Sequence, residues 1–145
     1  MVDHRTASLA GTLLRLALGS AFLAHAALKA FGLTPAGTLQ AFTGLGLPSF
    51  LFYLLILVES VGGMALLFGF ATRAVSLALM PVPVAAIIVV QSHNGLYFDN
   101  PGGGWEYPAF WTMTLLVQAL LGDGWAAIGH PRWLPLARIF VCRRR

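Results

Sequence analysis

Three ionisable side chains interrupt apolar stretches of this sequence, and their types suit proton chemistry. Glu59 stands in the run 50–70, whose other residues are uncharged, and His25 and Lys29 stand near the end of the run 9–31. Imidazole exchanges protons near neutral pH, and a carboxylate removed from water must be paired or protonated. Ionisable groups in such segments therefore predict a functional site that contains Glu59, His25 and Lys29.

The spacing of the basic residues in the first run places them on one face of a helix. At about 100° per residue, Lys29 falls about 40° and His25 about 80° from Arg15 around the helix axis. Arg15 is expected to extend towards the nearer membrane interface. Lys29 or His25 is the expected partner of Glu59. The alternatives are an ion pair that only joins helices and a histidine that is only satisfied by a neighbour.

The composition excludes a soluble globular domain. The chain has 145 residues, of which 58% are hydrophobic and 10% are charged. A soluble domain has roughly 25% charged residues, and this chain has too few to cover its surface. Disorder is excluded because so much apolar surface would not stay solvated. The sequence predicts an all-α integral membrane protein with a single domain, residues 1–145, that resides in the lipid bilayer. We expect no nucleic-acid partner, because a net charge of +4 in such a chain reflects membrane topology.

Four segments are apolar enough to predict transmembrane helices that form a four-helix bundle. They lie at approximately 9–31, 50–70, 74–92 and 108–122, and the last is short. Residues 33–49 are expected to form a loop that lies on the surface or re-enters the membrane, because glycines and Pro48 interrupt them. Basic residues Arg5 and Arg73 and the basic tail 131–145 mark one side. Both termini are therefore predicted to be cytoplasmic.

A second group of polar and aromatic residues lies where the third and fourth segments meet the outer surface. His93 ends the third segment, and Trp105, Glu106 and Tyr107 open the fourth. Trp111 is expected to join Trp105 and Tyr107 in an aromatic belt at the outer interface. A role for Glu106 as a helix cap alone is the alternative.

The expected depths of these residues predict a polar pocket in the outer half of the membrane, with Glu59 below the others. Histidine and glutamate for protons, together with aromatic residues and glycines for a flat ring, suit a quinone head group. We expect no metal or haem, because the sequence has no close histidine pair or His/Cys cluster.

The sequence resembles the DoxX family of small four-span bacterial membrane proteins over residues 13–122. The resemblance rests on the order and spacing of several short motifs. They are Arg15-Leu16, a helical stripe formed by Phe22, His25 and Lys29, and the segments Gly46–Pro48, Val58–Gly63, Thr72-Arg73, His93–Gly95 and Gly103–Tyr107. It implies multi-pass insertion in the bacterial cytoplasmic (inner) membrane. It also implies an association with membrane redox chemistry, since family members include the small subunit of a thiosulfate:quinone oxidoreductase.

We therefore expect a quinone-interacting subunit of a membrane oxidoreductase system. Glu59 and His25 are the predicted catalytic residues, and the predicted cofactor-binding residues are Lys29, His93, Trp105, Glu106 and Tyr107. A partner subunit is expected to carry the electrons, and a homo-oligomer is compatible with the sequence. The alternatives are an assembly or scaffold protein without catalysis and, less favoured, a small-solute carrier.

Overall fold

The computed structural model describes residues 4–32 and 35–129, and this part of the chain is helical without a β-strand. The tail 131–145, predicted to be cytoplasmic, lies outside the described residues. The elements in chain order are α1 (His4–Ala27), a first π-helical turn (Leu28–Gly32), α2 (Pro35–Gly44), α3 (Ser49–Phe68), α4 (Thr72–Leu79), α5 (Pro81–Ala86), a second π-helical turn (Ile87–Gln91) and α6 (Glu106–Leu121).

Three helical stretches are long and apolar enough to cross a membrane. They are Thr6–Phe31, Ser49–Phe68 and Thr72–Gln91, with mean hydropathies of 1.5, 2.1 and 2.2. They coincide closely with the first three predicted segments. Helix α6 has 16 residues. At about 1.5 Å per residue it is shorter than the hydrocarbon core of roughly 30 Å. The fourth span therefore stays a prediction.

The predicted loop at residues 33–49 is wrong for its first part, because residues Pro35–Gly44 form helix α2. Proline is well tolerated in the first turn of a helix. A glycine inside a helix costs only about 1 kcal/mol, which packing can offset. The ring of Phe42 packs against Phe52 at a centroid distance of 5.6 Å, so α2 lies against the start of α3.

The prolines divide the third predicted segment. Helix α4 ends at Leu79 and α5 begins at Pro81. Met80 between them keeps helical dihedral angles, φ −54° and ψ −38°, so the chain continues in the same direction. Pro81 is the first residue of α5, where its missing N–H matters least. The stretch ends in the second π-helical turn.

The residues after α6 return to the corner between α3 and α4. Gly69 ends α3 with φ 70°, and its carbonyl accepts a hydrogen bond of 3.1 Å from the N–H of Gly129. The carboxylate of Asp123 accepts a hydrogen bond of 3.2 Å from the N–H of Thr72, at the start of α4. Residues 122–129, the return segment, therefore bind both the end of α3 and the start of α4.

The same return segment covers Arg15. Arg15 as a whole is 2% exposed, and its Nη2 atom lies 3.4 Å from the carbonyl oxygens of Trp125 and Ala126. The expectation that Arg15 extends to the interface stays a prediction, and the structure adds that residues after α6 close over the side chain beside Gly69. Sequence periodicity could not show a contact between segments that are so far apart in the chain.

Helices α1 and α3 approach each other closely where two glycines meet. A Cβ atom on Gly19 would lie 2.8 Å from the carbonyl oxygen of Gly63, and one on Gly63 would lie 3.0 Å from that of Gly19. Such contacts leave no room for a side chain, and this is how small residues join membrane helices. Helix α6 packs on α1, α4 and α5. The core between the helices consists of Leu18, Phe22, Leu66, Leu79, Trp111 and Leu115.

Replacing Gly19 by alanine is expected to lower the free energy of unfolding by about 1–3 kcal/mol relative to a matched variant. The match is Gly11→Ala in the same helix, where the added Cβ would meet no atom closer than 3.6 Å. Both variants gain the same helix propensity, so their difference isolates the clash. Thermal unfolding in detergent measures it, and equal midpoints for the two variants would refute the close crossing.

Candidate functional site

A cavity of about 550 Å³ lies between the end of α1, the helices α2 and α3, the helix α5 with its π-helical turn, and the start of α6. Most of its walls are aliphatic. The residues that carry polar groups or aromatic rings into its lining are Phe22, His25, Lys29, Phe42, Glu59, Gln91, Tyr107 and Trp111. This size is within the usual range of small-molecule sites, roughly 300–1,000 Å³.

An ion pair forms the charged part of the cavity wall. The Nζ atom of Lys29 donates to both carboxylate oxygens of Glu59, each at 2.9 Å. The side chain of Glu59 is 3% exposed and that of Lys29 is 18% exposed. Lys29 comes from the first π-helical turn and Glu59 from the middle of α3. The pair is neutral overall, which allows two charged groups to lie beside apolar walls.

An aromatic cluster centred on Trp111 forms another part of the cavity wall. The ring centroid of Trp111 lies 4.7 Å from Phe22, 4.8 Å from His25 and 5.6 Å from Tyr107. Phe22 and His25 are three residues apart on α1, and Tyr107 and Trp111 are four apart on α6, so each pair shares a helix face. The cluster fixes the imidazole of His25 edge-on against the indole, beside the cavity.

The structure brings together four of the seven predicted site residues. His25, Lys29, Glu59 and Tyr107 all line the cavity. The other three, His93, Trp105 and Glu106, are exposed and are not part of the lining.

The loop that carries these three residues is built around two asparagines. Asn94 Nδ2 donates to the carbonyl oxygens of Gly102 and Gly103, each at 3.0 Å. Asn100 Nδ2 donates to the carbonyl of Asn94 at 2.8 Å. Gly102 and Gly103 have φ values of 86° and 77°, which favour glycine. These hydrogen bonds and φ values indicate that the glycine run serves to shape the loop.

Two lining residues with polar side-chain atoms, Trp111 and Gln91, were not predicted as site residues. Trp111 was expected in the interfacial belt, but it is 8% exposed, so that expectation is wrong. Its position four residues after Tyr107 and four before the buried Leu115 is a signal for an inward face. Gln91 is half-buried at the end of the second π-helical turn. The only sequence signal for Gln91 is that it is polar and precedes His93 by two residues.

The described residues 4–32 and 35–129 contain no group of three His, Cys, Asp or Glu side chains placed as metal ligands. The chemistry of the cavity is that of its own side chains: a paired ammonium and carboxylate, an imidazole, an indole and a phenol. Together they can exchange protons and hydrogen bonds with a flat, largely apolar ligand.

Comparisons with known proteins identify the family of the chain. The family model named DoxX matches residues 10–92. A Bacillus subtilis (strain 168) protein named "Putative oxidoreductase CatD" is 35% identical over 116 residues, which are 80% of this chain and 81% of the relative. No solved structure matches. With its apolar helices and its family match over more than half its length, the chain is a membrane protein that belongs to the DoxX family.

Proposed function

We propose that this protein is the quinone-interacting subunit of a membrane oxidoreductase system. The observation that carries the proposal is the cavity. It places the imidazole of His25 and the Lys29–Glu59 pair beside the rings of Tyr107 and Trp111, within aliphatic walls. A quinone head group is flat and apolar, and it carries two oxygen atoms that take up protons when the ring is reduced. The aliphatic and aromatic walls of the cavity suit the flat ring, and its imidazole and carboxylate suit the two oxygen atoms.

The proposed roles follow from the contacts. Glu59 and His25 exchange protons with the ring oxygens, because a carboxylate and an imidazole can each hold or release a proton in a site shielded from water. Lys29 keeps Glu59 in place and orients the head group. Tyr107 covers the cavity from α6. Ligand binding by His93, Trp105 and Glu106 stays a prediction from the sequence.

We propose that a partner subunit exchanges electrons with the quinone. Reduction of a quinone to a quinol consumes two electrons and two protons. The residues of this cavity supply the protons, and a redox-active partner supplies the electrons. The name of the Bacillus subtilis relative, an oxidoreductase, supports a redox role for the system.

The proposed topology has four spans in the bacterial inner membrane, with both termini in the cytoplasm. Helix α6 is the fourth span, and Trp105 and residues 122–125 extend it into the two interfaces. Its packing on α1, α4 and α5 supports this, since it runs along helices that are long enough to cross. Arg73 at the α3–α4 corner marks the cytoplasmic side.

The test is quinone binding by the protein purified in mild detergent. We expect an organic extract to contain about one quinone per chain, and a quinol analogue to bind to the emptied protein. His25→Ala and Glu59→Gln are each expected to weaken binding about tenfold, the loss expected for one hydrogen bond to a charged or ring group. Asp99→Asn is the matched control, because it makes the same change in an exposed loop away from the cavity.

Size-exclusion profiles establish that each variant is folded. Wild-type protein with neither bound quinone nor affinity for the analogue would overturn the proposal. A co-purifying membrane protein whose level changes in Glu59→Gln would then support the assembly function instead.

A further inference from the structure

Two residues that line the cavity each have a buried polar atom without a hydrogen-bond partner among the described residues. The atoms are Nε1 of Trp111 and Oε1 of Gln91. A buried donor without a partner costs about 1–3 kcal/mol, and such groups are rare in folded proteins. An unsatisfied donor and an unsatisfied acceptor on two residues that line one cavity therefore point to a ligand that supplies the missing partners.

The indole of Trp111 is held in place. Its side chain is 8% exposed and is surrounded by the rings of Phe22, His25 and Tyr107. A buried tryptophan N–H usually finds a partner, and this ring cannot turn towards water without breaking three ring contacts. The strongest donor nearby, Lys29, already gives hydrogen bonds to both oxygens of Glu59. Trp111 is thus a buried cavity-lining donor whose N–H has no partner among the described residues.

We propose that the indole N–H of Trp111 donates a hydrogen bond to a ring oxygen of the ligand, and that Gln91 is the matching acceptor for a ring hydroxyl. This inference rests on the proposed function, because the ligand it addresses is the quinone. Tryptophan is only a donor, so it binds a carbonyl oxygen best. The substrate class is a flat ring with an exocyclic oxygen, and the same ring without the oxygen gains nothing from Trp111.

Indole resonances in a ¹H–¹⁵N spectrum of the detergent-solubilised full chain test this directly. The chain has four tryptophans, and the signal of Trp111 is the one that Trp111→Phe removes. Phenylalanine variants of the other three identify it by elimination should Trp111→Phe not fold. Decyl-benzoquinone is expected to shift the Trp111 signal downfield, while decylbenzene, which lacks ring oxygens, is not.

Affinities give a second readout. Trp111→Phe keeps an aromatic ring and removes the N–H. It is expected to bind decyl-benzoquinone about tenfold more weakly and decylbenzene as the wild type does. Trp125→Phe is the control, since that ring is 71% exposed and outside the cavity.

The outcomes separate the two proposals. Wild-type protein that binds decyl-benzoquinone without a shift of the Trp111 signal would overturn this inference and leave the proposed function standing. Equal affinity of Trp111→Phe and the wild type would do the same. Absence of quinone binding by the wild type would overturn the proposed function itself, and this inference with it.

Discussion

Replacing Lys29 by methionine is expected to lower the free energy of unfolding by about 3–5 kcal/mol, the usual cost of removing one partner from a buried ion pair. Methionine keeps an unbranched apolar side chain but has no charge. Both oxygens of Glu59 accept their hydrogen bonds from Lys29 at 2.9 Å, and the Glu59 side chain is only 3% exposed. Without Lys29 the carboxylate must stay unpaired or take up a proton, and either costs free energy.

The opposite variant, Glu59→Leu, is expected to cost less. Lys29 is 18% exposed and lies at the end of the first helix, so its flexible side chain can move its charge towards the interface. The double variant Lys29→Met/Glu59→Leu removes both charges and is expected to recover most of the stability, because a buried ion pair is often no better than apolar side chains of similar volume.

Unfolding of the four proteins by sodium dodecyl sulfate in mixed micelles completes a double-mutant cycle that needs no further control. A double variant as unstable as Lys29→Met alone would contradict this account, as would equal losses in the two single variants.

The sequence predicts those features of the molecule that depend only on the residues within a single segment. Three apolar segments identify the three candidate spans, because crossing a membrane requires about 20 apolar residues in a row. Glu59 and Lys29 stand out for the same reason, since a charge in such a segment needs a partner. The sequence left Lys29 and His25 open as partners of Glu59, and the structure pairs it with Lys29.

The parts that the sequence does not predict depend on contacts between distant segments. Arg15 is buried by residues that follow α6, and the α2 helix is formed against α3 despite its glycines. Counting residues predicts a depth for His93 and Glu106 along the membrane normal. It does not predict whether they line the cavity, and in the structure both are exposed outside it.

Trp111 illustrates the same limit within a helix. Helical periodicity assigns it a face, but only the arrangement of helices decides whether that face meets lipid or a neighbour. In the structure it meets Phe22 and His25 of α1. An aromatic residue near a span end is typical of an interfacial belt, so composition alone favoured the wrong environment.

Filling the cavity is expected to abolish most ligand binding without harming the fold. Ala86 ends α5 and lines the cavity, where a phenylalanine would occupy volume that a ligand needs. Forcing a ligand and a side chain into the same space costs about 1–3 kcal/mol, so Ala86→Phe should bind decyl-benzoquinone roughly 5- to 150-fold more weakly. Ala78→Phe on α4 is the matched control, because Ala78 is exposed and is not part of the lining.

Stability separates this effect from damage to the structure. The new ring enters open space and displaces no packed side chain, so the unfolding midpoint of Ala86→Phe should equal or exceed that of Ala78→Phe. Weaker binding with an unchanged midpoint would locate the ligand in the cavity without relying on its charged residues. Wild-type affinity in a folded Ala86→Phe protein would mean that quinone binds on another surface, and the Lys29–Glu59 pair would then be a device that joins α1 to α3.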